Sequence, residues 1–295
     1  MVPKELQDAR ETYKGALLGI ERLQRTMQGQ GVFAVDSAEG VVEQLLAQLE
    51  VSDALMVPCL GAMTPAASAA ATALGPCVLA LRIGMELDHS RQEVARLGLA
   101  SLLLDLARGR VTSERDSGAL RRSGEALAKL TRDRGAAYAD VADLVRRSAE
   151  VVQGWAGTNE GSRDVAAPVH IVTMASAYHE LARGRGADER SWPSACLKDF
   201  IRGQRARFPD TMLKILIRVL TSLPVGSLVR LNSGEIGYVV AKNERFPLRP
   251  VVAIWVSLGK PLAEAKSVDL LQNPFLHVEA FLADTKLDRD LGVSS

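Results

Sequence analysis

The chain is short of the side chains that build covalent or metal-held scaffolds. Its 295 residues include three cysteines, Cys59, Cys77 and Cys196, with no CxxC and no paired spacing. That argues against a disulfide framework or a cysteine-built zinc site and fits a reducing cytosol. Histidine occurs four times, at His89, His170, His179 and His277. Aromatics are 4% of the chain, which leaves few platforms for stacking single-stranded nucleic acid. Charge of either sign is not in excess: 36 Lys+Arg face 35 Asp+Glu, a net +1. Broad attraction to nucleic acid or to an anionic membrane is therefore not expected. Long apolar runs are missing too. The most apolar stretch, residues 55–81, is rich in Ala, Ser and Thr and is broken by Pro58, Pro65 and Pro76. It falls short of the roughly 20 strongly apolar residues of a membrane span. With no visible signal segment, the expected location is the cytoplasm, without membrane insertion.

What is present is a folding composition, 47% apolar and 24% charged, enough for one large or two modest domains. The first 220 residues read as helix after helix. Leu6, Ala9, Tyr13, Leu17, Ile20 and Leu23 recur at three- and four-residue steps and form one apolar face. Gly29-Gln30-Gly31 ends that helix. Asp36 with Glu39, and Ser90 with Glu93, have capping-box spacing, and Thr64-Pro65 reads as a cap followed by a first-turn proline. Further helices are expected near 114–131, 136–155, 168–184, 194–206 and 210–222.

The pattern changes at Pro224. Short strands are expected at 226–231, 236–240 and 250–256, joined at the first bend by Asn232-Ser233-Gly234-Glu235. One more helix is expected from Phe275 to Leu282, then a polar tail at 286–295. The expected architecture is mainly α: a helical bundle with a small C-terminal β-hairpin or three-strand unit. The divisions are an N-terminal helical extension (1–32), a helical domain (33–222), and a β unit with final helix and tail (223–295).

Residues 208–252 carry Pro224-Val225-Gly226-Ser227, Val229-Arg230-Leu231-Asn232-Ser233-Gly234-Glu235 and Pro250-Val251-Val252 in order. This segment closely resembles the C-terminal end of HD-GYP domains, in the HD superfamily. Upstream, residues 90–111 have the spacing of the segment that carries that family's His-Asp pair. Residues 169–186 resemble its later helix. With gaps, the likeness covers about residues 33–283.

The resemblance implies a bacterial signalling protein. HD-GYP proteins are metal-dependent phosphodiesterases that linearise cyclic di-GMP, using imidazole and carboxylate ligands around two or three metal ions. Aligned on that pattern, the first ligand histidine is Thr72 and the His-Asp pair is Leu104-Asp105. The next histidine is Leu120. The His-His-Glu motif is Val151-Val152-Gln153, Gly-Tyr-Pro is Asn159-Glu160-Gly161, and the late Asp is Ser176. Arg108 and Arg185 stand where the family carries basic groups. One carboxylate cannot hold a di-metal site, so no metal and no cofactor are expected, and the vestigial site is expected to close as hydrophobic core.

Three functions follow as expectations. The first is a degenerate, catalytically inactive HD-GYP-like adaptor acting through a protein partner in cyclic di-GMP-related regulation. The altered Gly-Tyr-Pro loop puts the family's contact with diguanylate cyclase domains in doubt. The second is a non-hydrolysing receptor for cyclic di-GMP or a related phosphate ligand, held by Arg108 and Arg185. The third is a residual metal-dependent phosphodiesterase with carboxylates such as Glu160 or Asp164 moved into the site. The opening helix could also support a homodimer through its apolar stripe, or simply pack on the body.

Each single feature also has a plainer reading. His89 precedes a helix and reads as a solvated neighbour of its cap. His170 and His179 are nine residues apart, on roughly opposite faces of one helix, and cannot share a metal. Asp105 reads as a remnant, an acceptor within the bundle, an anion-repelling group, or a salt-bridge partner of Arg108 one turn along. Arg108, Arg110, Arg183 and Arg185 read as phosphate contacts or as solvated surface. Residues 184–190 lack phosphate-loop spacing.

Overall fold

The computed structural model describes residues 2–30, 34–61, 68–108, 124–125, 129, 133, 135–155, 165–183, 194–243 and 245–282. The fold is mainly α with a C-terminal β unit. The helices are α1 (Lys4–Gln30), α2 (Val35–Val51), α3 (Met56–Gly61), α4 (Ala69–Glu86), α5 (Arg91–Arg108), α6 (Ala139–Gly154), α7 (Ala167–Arg183), α8 (Ser194–Gln204) and α9 (Asp210–Thr221). The strands are β1 (Leu228–Leu231), β2 (Ile236–Ala241), β3 (Val251–Ser257), β4 (Lys260–Asp269) and β5 (Val278–Phe281). No helix among the described residues is long and apolar enough to cross a membrane.

One continuous core joins the helices. α4 and α5 lie against each other, and α7 packs on both. Leu74, Leu81, Leu102, Leu104, Ile171 and Tyr178 are fully buried within that core. The apolar stripe of α1 is spent in the same place. Ala9, Tyr13, Ala16 and Ile20 are fully buried against the chain's own elements, with α2 and α4 among the neighbours of α1. The stripe that suggested a homodimer is thus covered within one chain, and α1 is part of the helical core.

Local signals explain several helix starts. The Ser90–Glu93 box forms as its spacing predicts: the Ser90 amide donates to Glu93 Oε2 at 2.9 Å, and the Glu93 amide donates to Ser90 Oγ at 3.4 Å. Asp36 does not cap α2, which begins one residue earlier with Ala34 as its N-cap. Asp36 and Glu39 instead accept from the Tyr138 hydroxyl at 3.4 and 2.7 Å, fixing the entry to α6. α4 is capped by Ser68, whose Oγ accepts from the Ala71 amide. Thr64-Pro65 lies outside the described residues.

The β unit is larger than the sequence suggests. Its five strands run in the antiparallel order β4-β3-β2-β1-β5. The helix expected at 275–282 is β5, which pairs with β1 through Val229↔Phe281 and Arg230↔Ala280. A free sheet edge at β1 offers unpaired backbone groups, and satisfying them outweighs the helical spacing of Phe275, Val278 and Leu282. Val229, Leu231, Val239, Val252 and Ile254 form a second, separate core.

Among the described residues, two features tie the sheet to the helices. Asp53, in the short turn after α2, meets Lys242 Nζ at 2.6 Å and accepts from the Val225 amide at 3.2 Å. Gly226, at φ +89°, lets the backbone approach α1 so closely that a Cβ there would lie 2.8 Å from Leu6 Cβ.

Candidate functional site

The candidate site grows from the last turn of α5. Asp105 and Arg108 are one turn apart there, and Asp105 is nearly inaccessible, at 6% exposure. α7 supplies the opposite wall. Ser176, His179, Glu180 and Arg183 follow steps of three, one and three residues, which puts all four on one helical face. α4 closes the third side with Thr72, Gly75 and Cys77.

The contacts form a chain of partners. Ser176 Oγ donates to Asp105 Oδ1 at 2.9 Å. Arg108 Nε lies 3.7 Å from the same oxygen, and Arg108 Nη1 donates to Glu180. Arg183 Nη1 donates to Thr72 Oγ1 at 3.0 Å. Asp105 Oδ2, Arg108 Nη2 and His179 Nε2 are buried without a hydrogen-bond partner. The His179 ring fits only because residue 75 is glycine: a Cβ there would sit 2.1 Å from Nε2.

Burial dominates the electrostatics. It pushes the Asp105 carboxyl up to about 6, against the opposing pull of Arg108, the Ser176 hydrogen bond and Arg183. Burial, then Arg183 and Arg108, holds His179 down at about 3. Burial and the nearby Asp105 push the Cys77 thiol up. Burial thus disfavours the charged form of both Asp105 and His179.

The structure brings together five of the residues picked out from the sequence: Asp105, Arg108 and Ser176 directly, and Thr72 with Arg183 beside them. Leu104 is fully buried in the aliphatic core. Closure as hydrophobic core thus describes Leu104 but not Asp105, whose surroundings are polar. Val151, Val152 and Gln153 are half-buried in the last turns of α6, and Val152 packs on the main core. Leu120, Arg110, Arg185, Glu160 and Asp164 lie outside the described residues.

Sequence reasoning missed His179, Glu180 and Gly75 as members of this site. The one-face spacing 176–179–180–183 was the available signal. His170 lies at the other end of α7, edge-on to Phe208 with ring centroids 5.9 Å apart. The two histidines are indeed apart. His277 belongs to the sheet, where its amide donates to Asn232 Oδ1. Among the described residues, no three His, Cys, Asp or Glu side chains gather as a metal-holding group.

Comparison with known proteins agrees with the architecture. Residues 228–289 match the family described as a KOW domain associated with HD domain. Over 129 residues the chain is 22% identical to the cyclic di-GMP phosphodiesterase PdeB of Borreliella burgdorferi, covering 43% of this chain and 34% of that protein. Together these matches point to an HD-domain protein. The chain spans about a third of that relative's length. No solved structure matches. The matched segment contains the five-stranded sheet, and the Asp105 cluster lies in the helical part that precedes it.

Proposed function

We propose that this chain is a non-catalytic HD-type protein of cyclic di-GMP-related regulation, acting through contact with a protein partner. One observation carries the reading. The carboxylate aligned with the family's His-Asp pair is engaged by Ser176 and faces two guanidiniums, Arg108 and Arg183. A divalent cation beside Asp105 would meet that carboxylate, a Glu180 already engaged by Arg108, and two guanidiniums, with aliphatic Leu104 at the aligned imidazole position. Hard or borderline metals need several anionic or imidazole donors, so these residues do not fit a di-metal centre. With the metal chemistry gone, the surfaces of an intact scaffold are what remains to carry function.

Metal analysis of the purified chain together with a cyclic di-GMP hydrolysis assay tests this. The expected result is no stoichiometric metal and no turnover. Stoichiometric iron or manganese with turnover abolished by Asp105→Ala would overturn it in favour of a residual phosphodiesterase.

A second reading, a non-hydrolysing receptor for cyclic di-GMP or another phosphate ligand, is favoured by the unpartnered Nη2 of Arg108. Calorimetry with cyclic di-GMP separates it from the first. Micromolar binding that is lost in Arg108→Ala supports a receptor, and the absence of heat removes it.

A further inference from the structure

Among the described residues, the two most exposed large apolar side chains are Leu258, at 94%, and Phe275, at 89%. Neither belongs to an apolar core, although Leu276, next to Phe275, packs on the core of the sheet. Both stand at one end of that sheet. The antiparallel order β4-β3-β2-β1 puts the β1–β2 turn and the β3–β4 turn at the same end. Leu258 is in the β3–β4 turn. Phe275 is held beside the β1–β2 turn: its carbonyl accepts from Asn232 Nδ2 at 3.0 Å, and the His277 amide donates to Asn232 Oδ1 at 2.9 Å.

Leu258 is unfavourable where it stands. Ser257 pairs with Lys260, so Leu258 and Gly259 form a two-residue turn. Their φ values, +54° and +73°, are both left-handed, as a type I′ turn requires. Asn or Asp suits the position before Gly in that turn, and a bulky apolar residue there is strained. The side chain also stays in water, and neither core offsets this. Phe275, by contrast, is rigidly mounted. Arg249 Nη1 donates to the carbonyls on either side of it, Pro274 at 3.1 Å and Leu276 at 2.8 Å. A side chain on backbone fixed in this way loses little freedom on binding.

We propose that Leu258 and Phe275 are the anchors of a protein-docking surface whose partner offers an apolar recess. This rests on the adaptor reading above and names its surface. Charge selects the occupant. Arg230 and Glu279, paired at 3.1 Å, and Glu235 and Lys260 beside the two turns sum to zero. An anionic lipid surface or a nucleic acid calls for an excess of positive charge. A second copy would set the same patch on both sides of the contact, and two protrusions do not fill each other.

The test places a photoreactive phenylalanine analogue at position 258, or at 275, of the full chain in its native cells. Both positions are expected to give one covalent adduct with the same partner, absent when the analogue is at Val51, an exposed apolar position on α2. Phe275→Ser is expected to weaken the adduct from 258 at least about tenfold, and Leu258→Asn the adduct from 275. Leu258→Asn is also expected to raise the thermal midpoint, because Asn suits the turn. A lowered midpoint would show that the fold itself requires Leu258 and would overturn the proposal. So would no adduct, an equal adduct at Val51, or an adduct that joins two copies of this chain. Flotation of the purified chain with phosphatidylcholine–phosphatidylserine vesicles, lost in Phe275→Ser, would replace the protein partner with a membrane. None of these outcomes changes the metal and hydrolysis results above, so the two readings fail separately.

Discussion

The two ends of α5 hold similar side chains in opposite circumstances. At the C-terminal end, Asp105 is buried against α7 and its partner Arg108 is half-buried. At the N-terminal end, Arg96 meets Asp140 in solvent, on the rim of a cleft. The difference is burial, not composition. Water screens the open pairs and leaves them free to exchange partners. At the closed end Asp105 loses its hydration, and protein groups must replace it. The closed end is thus committed to its partners, and the open-end charges are not.

The largest effect expected from breaking this contrast is at Leu104. Its side chain is wholly buried beside the polar cluster. Leu104→Ala deletes buried methyl groups and leaves a cavity, at a cost of about 2–5 kcal/mol. Urea unfolding should show a lower midpoint with an unchanged slope. A loss below about 1 kcal/mol would mean that this end of the bundle collapses readily and is not the rigid half.

Next come two opposing pH dependences at the closed end. Asp105 has its folded pKa raised to about 6, so its contribution to stability is full below its unfolded value near 3.8 and is lost as pH rises through 6. His179 has its folded pKa lowered to about 3, so its contribution is full above its unfolded value near 6.5 and is lost as pH falls. Between about pH 4 and 6 the two slopes oppose each other, each about 1.4 kcal/mol per pH unit at most. Asp105→Asn should therefore steepen the loss of stability on acidification in that window. His179→Leu should reverse it. Denaturant midpoints measured from pH 4 to 6.5 give both slopes, whatever the absolute stability of each variant. Parallel profiles in both variants would show that the two groups do not titrate as buried partners.

The helical body was legible because its signals are local. The periodicity of α1 and the Ser90–Glu93 box depend on neighbours a few residues away, and both appear as expected. Local spacing alone also suggested a helix at 275–282, but the free edge of β1, almost fifty residues upstream, decides that segment. The site was half legible for the same reason. A family pattern located Thr72, Asp105, Arg108 and Ser176. Nothing in the sequence alone showed that Gly75 would leave room for the His179 ring, because that fit depends on how closely α4 approaches α7. The cleft at the open end was illegible, since two helix starts and the face of a third helix form it.

A smaller effect is expected at the cap of the open end. Ser90 Oγ bonds both the Glu93 amide and its carboxylate. Ser90→Ala removes that cap at the typical cost of about 1 kcal/mol. The thermal midpoint should fall modestly, while the pH 4–6 profile set by Asp105 and His179 keeps its shape. A changed profile would mean that the two ends of α5 are coupled along the helix.

The smallest effect is the sharpest test of the contrast. Arg96→Gln removes a guanidinium that is 36% exposed and paired to an Asp140 that is 73% exposed. If the open-end charges are idle in the fold, stability should change by no more than about 0.5 kcal/mol. The neighbouring buried Leu97 keeps its packing, so no cavity term enters. Matched urea curves for the native chain and Arg96→Gln at low and at high salt decide the point. Screening weakens exposed pairs within a Debye length of about 10 Å at 0.1 M salt, so even the small difference should vanish at high salt. A loss above about 1 kcal/mol that persists in salt would show that Arg96 holds α5 to α6 structurally. The open-end pair would then be a strut rather than idle charge.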